Sequence, residues 1–354
     1  MKTEKILELL RDRIVCGEFP PGAKLPNRPE LLKEYSVSVS AFQKCINQLI
    51  DWGFLESRGM YGMCVTANPP HLCRFAVLLP INADKILVET DSLIVAFKQV
   101  INDYIGENKG ISFAYYNVGP MAAPEMDEWE RFYTDVQSKL LAGAIDIFVA
   151  PPVELQRKLG DFPHVVISRK REDAPHNSPD IEFDLVEMFR TQLDFLALNG
   201  CKNVAVLLND NMSIAKNLSI IDIAEKSSIN CPRRWIQGMN LDHTRALFYD
   251  NLLELLFSRD QGSIPDGLVV QNENFLPIVM NAFSRLGIIP GVHVKIVSHG
   301  NLPTVRKMIA GVDYIYFKID EVLSESMRLL QQWKAGKLGN KVINVLIPPS
   351  DDVT

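Results

Sequence analysis

The stretch GEFPPGAKLPNRPELLKEYSVSVSAFQKCINQLIDWG, residues 17–53, decides how the chain begins to fold. Pro20, Pro21 and Gly22 exclude a helix through GEFPPGAKLP and leave a turn with a short extended piece. Asn27 precedes Glu30 by three residues, the spacing of a capping box, so a helix starts there and carries Leu31, Leu32 and Tyr35. Ser38 or Ser40 caps a third helix, whose Phe42, Cys45, Ile46, Leu49 and Ile50 form one apolar stripe before Gly53 stops it. Working outward, Ile6, Leu9, Leu10 and Ile14 give the stripe of a first amphipathic helix ending near Gly17. On the other side, residues 54–57 and 63–66 flank Gly59 and Gly62 and read as a hairpin.

With the apolar stripe of the third helix turned inward, its opposite side presents Ser40, Gln43, Lys44 and Asn47, with Val39 at the front. These groups can reach phosphates and base edges in a major groove. A polar outer face belongs to any exposed helix; the order of parts, helix, turn, capped helix, short turn, capped helix and hairpin, is what points to DNA.

In that order residues 5–66 resemble the winged helix-turn-helix of the GntR family. The family pattern is a helix ending in Gly, then PGxKLPS, a helix, VSxxTV, a helix ending in Gly and a glycine-containing wing. Here those parts read Gly17, Pro21 to Asn27, Val37-Ser38, Gly53 and Gly62. The resemblance implies phosphate contacts from Asn27 and Arg28. It implies groove-facing Ser38, Ser40, Gln43 and Lys44, with Asn47 on the same side, and a wing set against the minor groove by Arg58 and Gly62. The chain departs from the pattern at Val39 and Gln43, where the family commonly has Arg, at Ala41, where it has Thr, and at Met60, where it has a wing glycine. Fewer cationic contacts predict weaker nonspecific binding and a shallower salt slope.

Composition bounds the rest. The chain has 354 residues, 47% of them hydrophobic, and a formal net charge of −6. Residues 1–70 carry nine Lys/Arg against eight Asp/Glu, which leaves −7 on the remainder. A DNA-binding role therefore rests on where the charges point. No run reaches about 18 consecutive apolar residues, and MKTEKILELLRDR has neither the h-region of a signal peptide nor a span, so a cytoplasmic location is expected. The six cysteines lack CxxC spacing, which disfavours disulfides and zinc.

NPPHLCR, residues 68–74, reads as a linker stiffened by two prolines, with residues 1–67 before it forming the DNA-binding domain and 68–73 the linker proper. Beyond it, near-continuous apolar strands alternate with helices: strands at 75–80, 111–117, 145–152, 164–169, 203–210, 267–272, 294–299, 314–318 and 342–348. The helices fall at 90–106, 127–142, 184–198, 214–227, 244–258, 275–286 and 320–335. That rhythm argues parallel sheets covered on both faces, in two doubly wound lobes. The expected assignment gives the first lobe residues 74–198 and 301–335 and the second 199–300 and 336–348, within an effector domain over 74–354.

Residues 74–348 resemble the sugar-binding domain of the lac repressor family, itself similar to periplasmic binding proteins. The matches are Phe183-Asp184 before the helix ending ALNGCKNVAVLL (197–208), PDGLVVQNEN (265–274) and LGIIPGVHVKIVSHGN (286–301). The overall expectation is a winged helix-turn-helix followed by an α/β two-lobed, periplasmic-binding-protein-like domain. In open parallel sheets ligands lie beyond the carboxyl ends of the strands. That rule nominates Asn82, Asp84, Arg169, Asn209, Asp210, Asn272, Glu273, His299 and Asn301 as effector-binding residues, a mixture of groups that suits sugar hydroxyls. The family's sugar-gripping Arg is absent near Lys216 and Asn217, and Gly300 stands where the family has an Asp.

The chain therefore reads as a transcription regulator whose operator affinity is set by a small-molecule effector, a monosaccharide or derivative, bound between two lobes. Effector-dependent closure would shift the spacing of two DNA-binding heads in a homodimer, since palindromic half-sites need two. The rival class is a solute-binding or sensor protein with no role on DNA, which the attached head speaks against. No catalytic constellation, cofactor motif or metal-ligand spacing is present: the six histidines form no HExxH, and neither GxSxG nor a P-loop occurs.

Overall fold

The computed structural model of the chain describes residues 2–81, 92–119, 124–168, 178–209, 214–239, 246–258, 263–302, 309–338 and 343–350. It opens with α1 (Lys2–Val15), α2 (Arg28–Tyr35) and α3 (Val39–Asp51), followed by the antiparallel pair β1 (Leu55–Ser57) and β2 (Met63–Val65). The apolar stripes meet in one small core of Leu10, Ile14, Leu25, Leu31, Phe42, Ile46, Leu49, Phe54 and Val65. Leu10, Leu49 and Phe54 are fully buried, each contributing about 1.5–3 kcal/mol, which a domain this small requires. Leu9 and Ile50, expected in the stripes, lie at 46% and 36% exposure on the rim, because the three-helix core is narrower than the stripes themselves.

Local chemistry fixes the ends of these helices. The Ser38 hydroxyl accepts from the Ala41 N–H at 3.2 Å and caps α3, and the Glu30 carboxylate accepts from the Asn27 N–H at 3.2 Å at the start of α2. Gly53, at φ 83°, turns the chain out of α3 so that the Phe54 N–H returns to the Leu49 carbonyl at 2.8 Å. The PGAKLP segment is bonded to the hairpin: Gly22 N–H to Val65 O, Val65 N–H to Ala23 O and Leu25 N–H to Met63 O, at 2.9–3.1 Å. The turn motif thus adds a third, short edge to the wing.

The segment expected as a linker contains a short helix, α4 (Pro70–Cys73). The His71 ring stacks on Phe54 with centroids 5.7 Å apart. From the end of α12 (Ile319–Lys334), the Lys334 ammonium donates to the carbonyls of His71 and Leu72, each at 3.4 Å. Burial, with Lys334 nearby, holds the His71 imidazole neutral, at about 4. Leu140 also joins the head's core, and all of these residues belong to one compact unit, residues 1–85, 101–180 and 326–344.

After α4 come β3 (Arg74–Leu79), α5 (Ser92–Glu107), β4 (Ser112–Asn117), α6 (Met126–Gln137), β5 (Gly143–Ile147), α7 (Val153–Leu159), β6 (His164–Ser168), β7 (Asp180–Phe183) and α8 (Leu185–Leu198). Then follow β8 (Val204–Asn209), α9 (Ile214–Lys226), β9 (Ile236–Met239), α10 (Ala246–Phe257), β10 (Gly267–Val270), α11 (Leu276–Leu286), β11 (Lys295–Leu302), β12 (Val312–Lys318), α12 and β13 (Asn344–Ile347). A six-stranded sheet has the order β13-β7-β6-β5-β3-β4 and a five-stranded sheet the order β12-β11-β10-β8-β9. Pairings of β3 with β4 and β5, of β5 with β6, and throughout the second sheet are parallel. The strands β7 and β9 and the helix α7 are additions to the elements expected from the sequence.

Two strands pair differently from the lobe assignment given above. β12, within the segment assigned to the first lobe, extends the second sheet beside β11, with Ile296 opposite Val312 through to Leu302 opposite Lys318. β13, assigned to the second lobe, sits at the edge of the first sheet, where the N–H groups of Asp180 and Asp184 donate to the carbonyls of Ile343 and Ile347. Apolar periodicity marks a strand but does not say which sheet completes its hydrogen bonds.

Candidate DNA-binding edge and effector-site residues

On α3, Ser40, Lys44 and Asn47 are exposed and Gln43 is half-buried, while Phe42, Cys45, Ile46 and Leu49 face the core. The Gln43 amide donates to Asn47 Oδ1 at 2.8 Å, one helical turn away, which pre-sets both side chains along the outer edge. Val39, 56% exposed, stands at the front of this edge. Asn27 and Arg28 are exposed at the start of α2, where helix N–H groups and a cation favour a phosphate. Ser38 is exposed, with its hydroxyl engaged as the cap.

The wing places Arg58 and Gly62 at its turn. The Arg58 guanidinium pairs with Glu56 at 2.6 Å, both about 40% exposed, so a phosphate would have to compete with that carboxylate. Gly62 has φ 104°, and a Cβ there would come within 3.2 Å of Lys24 Cε. Lys24 itself lies over the Tyr61 ring, 5.1 Å from its centroid, and Tyr61 and Met60 are exposed beside it.

In the second sheet β11, β10 and β8 are neighbours, so their carboxyl ends lie side by side. Asn209 ends β8; Gln271, Asn272 and Glu273 follow β10; His299 and Asn301 lie on the last turns of β11. These five nominated residues, Asn209, Asn272, Glu273, His299 and Asn301, form one hydrogen-bonded group with Gln271. The Gln271 side-chain carbonyl accepts from the Asn209 N–H at 3.0 Å, and the Asn272 side chain accepts from the Asn274 N–H at 3.0 Å, while its amide reaches Asn209 Oδ1 at 3.5 Å. His299 Nδ1 meets the Gln271 carbonyl at 2.8 Å and Nε2 meets Asn301 Oδ1 at 3.3 Å. Asn301 Nδ2 donates to Ser92 Oγ at 3.0 Å and to Glu273 Oε1 at 3.3 Å.

Glu273 and Asn301 are 6% and 3% exposed, whereas Asn209, Asn272 and His299 are half-buried and keep a polar edge open. Phe317 of β12, itself 1% exposed, packs edge-on against the imidazole with centroids 5.5 Å apart and buttresses that ring. The glycine at 300 has a steric reason: a Cβ would stand 2.8 Å from the Tyr316 ring. Asn82, Asp84, Arg169 and Asp210 lie outside the described residues, as do the side chains of Lys216 and Asn217.

Among the described residues no helix is long and apolar enough to cross a membrane, and no group of three His, Cys, Asp or Glu could hold a metal ion. The geometry thus defines a winged helix-turn-helix with a polar outer edge, joined to parallel α/β sheets that gather polar side chains at their strand ends. Residues 2–65 match the profile of the bacterial regulatory proteins, gntR family, and carry that family's winged helix-turn-helix.

The comparison with curated proteins gives no match. Among solved structures the chain is similar to a LacI family transcriptional regulator from Arthrobacter sp. FB24 in complex with lactose, at 13% identity and TM-score 0.61, over 78% of this chain and 97% of that one. It is similar to a LacI family transcriptional regulator from Enterococcus faecium with bound ribose, at 13% identity and TM-score 0.55, over 78% and 96%. A regulatory protein of LacI family from Chloroflexus aggregans matches at 14% identity and TM-score 0.58, over 78% and 95%. At such identities the likeness shows the fold alone: the α/β part has a LacI-type, periplasmic-binding-protein-like fold.

Proposed function

We propose that the chain is a sequence-specific transcription regulator whose operator affinity is controlled by a small polar effector of the sugar class. One observation carries the reading: a gntR-type winged helix with an exposed polar α3 edge stands on the same chain as a LacI-type fold whose strand ends gather Asn209, Asn272, Glu273, His299 and Asn301. Lactose and ribose in the similar regulators support the sugar class. Ser40, Gln43, Lys44 and Asn47 would enter the major groove, Asn27 and Arg28 would hold phosphates, and Arg58 at the wing would meet the minor groove. The protein would act in the cytoplasm as a homodimer without catalytic activity, because one winged helix reads few bases and a two-fold operator requires two.

Selection from random DNA followed by anisotropy titration tests the first half: a recovered half-site bound by the wild type and lost on changing Gln43, Lys44 and Arg58 together to Ala supports it, and undiminished affinity sinks it. Thermal-shift screening against monosaccharides, disaccharides and their phosphates tests the second, since a ligand of the folded state raises its melting temperature by mass action. Light scattering of the DNA complex decides the dimer; one protomer per operator at micromolar protein would remove it.

A further inference from the structure

The tip of the wing carries a side chain that the fold does not use. Met60 stands at the apex of the β1–β2 hairpin, in the turn Gly59–Tyr61, and is fully exposed at 106%. The left-handed backbone that closes this turn falls on Gly59, at φ 56°, and on Gly62, at φ 104°. Position 60 therefore makes no conformational demand that a methionine answers. Met63, three residues on, packs against the head's core, whereas Met60 keeps its whole side chain in water.

The turn that presents Met60 is braced. The Arg58 N–H donates to the Gly62 carbonyl at 2.9 Å, the Tyr61 N–H to the Arg58 carbonyl at 3.1 Å and the Gly62 N–H to the Gly59 carbonyl at 3.1 Å. Lys24 is bridged to Cys64 of β2 and holds its ammonium 5.1 Å from the centroid of the Tyr61 ring, a cation on an aromatic face. Tyr61, at 57% exposure, is thereby fixed next to Met60.

Charge separates this tip from an ordinary apolar spot. From Phe54 to Thr66 the chain has two charged residues, Glu56 and Arg58, and they pair with each other at 2.6 Å. Lys24 adds a cation from the preceding motif. An apolar point beside cations, with its one carboxylate neutralised, complements a minor groove, whose walls are phosphates and whose width is about 6 Å. Methionine is unbranched and adaptable, narrow enough for that groove. It is also one of the side chains able to wedge between base pairs.

We infer that Met60 is a wedge residue: with the wing in the minor groove, its thioether enters between two base pairs, unstacks them and bends the duplex. This rests on the DNA-binding function proposed above. Unstacking costs least at the flexible TA and CA/TG steps. Met60 thus selects a pyrimidine–purine step beneath the wing without a hydrogen bond to any base. Lys24 and Arg58 supply the phosphate contacts that hold the wing there, and the Tyr61 ring backs the thioether.

The test uses full-length protein and the half-site recovered by selection from random DNA, with the step beneath the wing varied among TA, CA and GC. Wild type is expected to bind the TA form roughly tenfold more tightly than the GC form, the scale of one mismatched base pair. It is expected to bend the duplex, as read by energy transfer between its ends, and to brighten an aminopurine placed at the step, because unstacking relieves quenching. Met60→Gly should lose the preference, the brightening and most of the bend, yet keep the salt slope, since no cation is removed. Met60→Leu should retain all of them. Both variants should melt with the wild type, because an exposed side chain outside the core adds little to stability.

The same step preference and brightening in wild type and Met60→Gly overturn the inference and leave the regulator reading intact. Wild-type protein that binds without brightening the probe at any step overturns it whatever the variants do. A changed oligomeric state in Met60→Gly with unchanged DNA binding assigns the tip to a protein contact and overturns it as well. A wild type that binds no duplex removes the regulator reading, and the wedge with it.

Discussion

The outer edge of α3 and the strand ends of the second sheet are both polar, and they are built on opposite principles. On α3 the polar groups hang outside a sealed apolar core, held by the Gln43–Asn47 hydrogen bond and the Ser38 cap. At the ends of β10 and β11 the polar groups are interlocked, with Glu273 and Asn301 buried and each engaged with neighbours. An exposed edge can exchange a side chain and change what it binds while the fold stays intact. An interlocked buried cluster cannot, because removing one partner leaves another unsatisfied.

The sharpest control for this contrast is a buried carboxyl with no network. Asp146, on β5, is 1% exposed, and neither of its oxygens has a hydrogen-bond partner. Burial pushes it up to about 8. An acid whose folded value is raised contributes most at low pH and loses that contribution as pH climbs from the unfolded value, about 3.9, toward the folded one. Wild-type stability is thus expected to decline between about pH 4 and 8, at up to about 1.4 kcal/mol per pH unit from this group, several kcal/mol in total. Asp146→Asn removes that component, and urea unfolding of both proteins at pH 5 and pH 8 measures it. An unchanged slope in the variant would mean that Asp146 is ionised in the fold and finds compensation.

The apolar side of α3 comes next. Leu49→Ala opens the head's core at a fully buried position, and a loss of about 2–5 kcal/mol is expected, together with operator binding, as read by denaturant melts and anisotropy. A mild loss, with binding kept, would show that the head draws its order from elsewhere. Glu273→Ala is smaller in stability, about 1–3 kcal/mol, the cost of removing one of the two acceptors of the buried Asn301 amide, and should abolish the melting shift given by the best sugar. If that shift survives, the cluster is structural and the effector binds elsewhere.

The smallest effect on folding belongs to the polar edge. Gln43→Ala, Lys44→Ala and Arg58→Ala in combination should leave unfolding within about 0.5 kcal/mol per site while weakening operator binding. They should also reduce its salt slope by roughly 2, one for each cation removed. Destabilisation comparable to that of Leu49→Ala would erase the distinction between the two regions.

The head was readable in the sequence because its signals are local. Asn27 with Glu30, Ser38 before α3, and Gly53 after it act within one turn, and each stands where the pattern put it. At the strand ends, Asn209, Asn272, Glu273, His299 and Asn301 were found from the rule that parallel strands present ligands at their carboxyl ends. Their mutual bonds join residues up to 63 positions apart, and the Asn301 amide reaches Ser92, 209 positions away, so they leave no local trace. The exchange of β12 and β13 between sheets has the same cause: edge pairing is decided by distant partners such as Ile347 and Asp184. Ile50 and Leu9 show the limit on the local side, where periodicity gives a face and not its width.

The mounting of the head has a mechanical meaning. Phe54 under His71, the Lys334 ammonium on the carbonyls of α4, and Leu140 inside the head's core tie the head to residues of the same compact unit. A tether of free chain would let each head search for its half-site independently and would dissipate any rotation of the body that carries it. A head held by such contacts would act as a pointer fixed to its dial, a turn in residues 101–180 carrying Ser40, Lys44 and Asn47 with it.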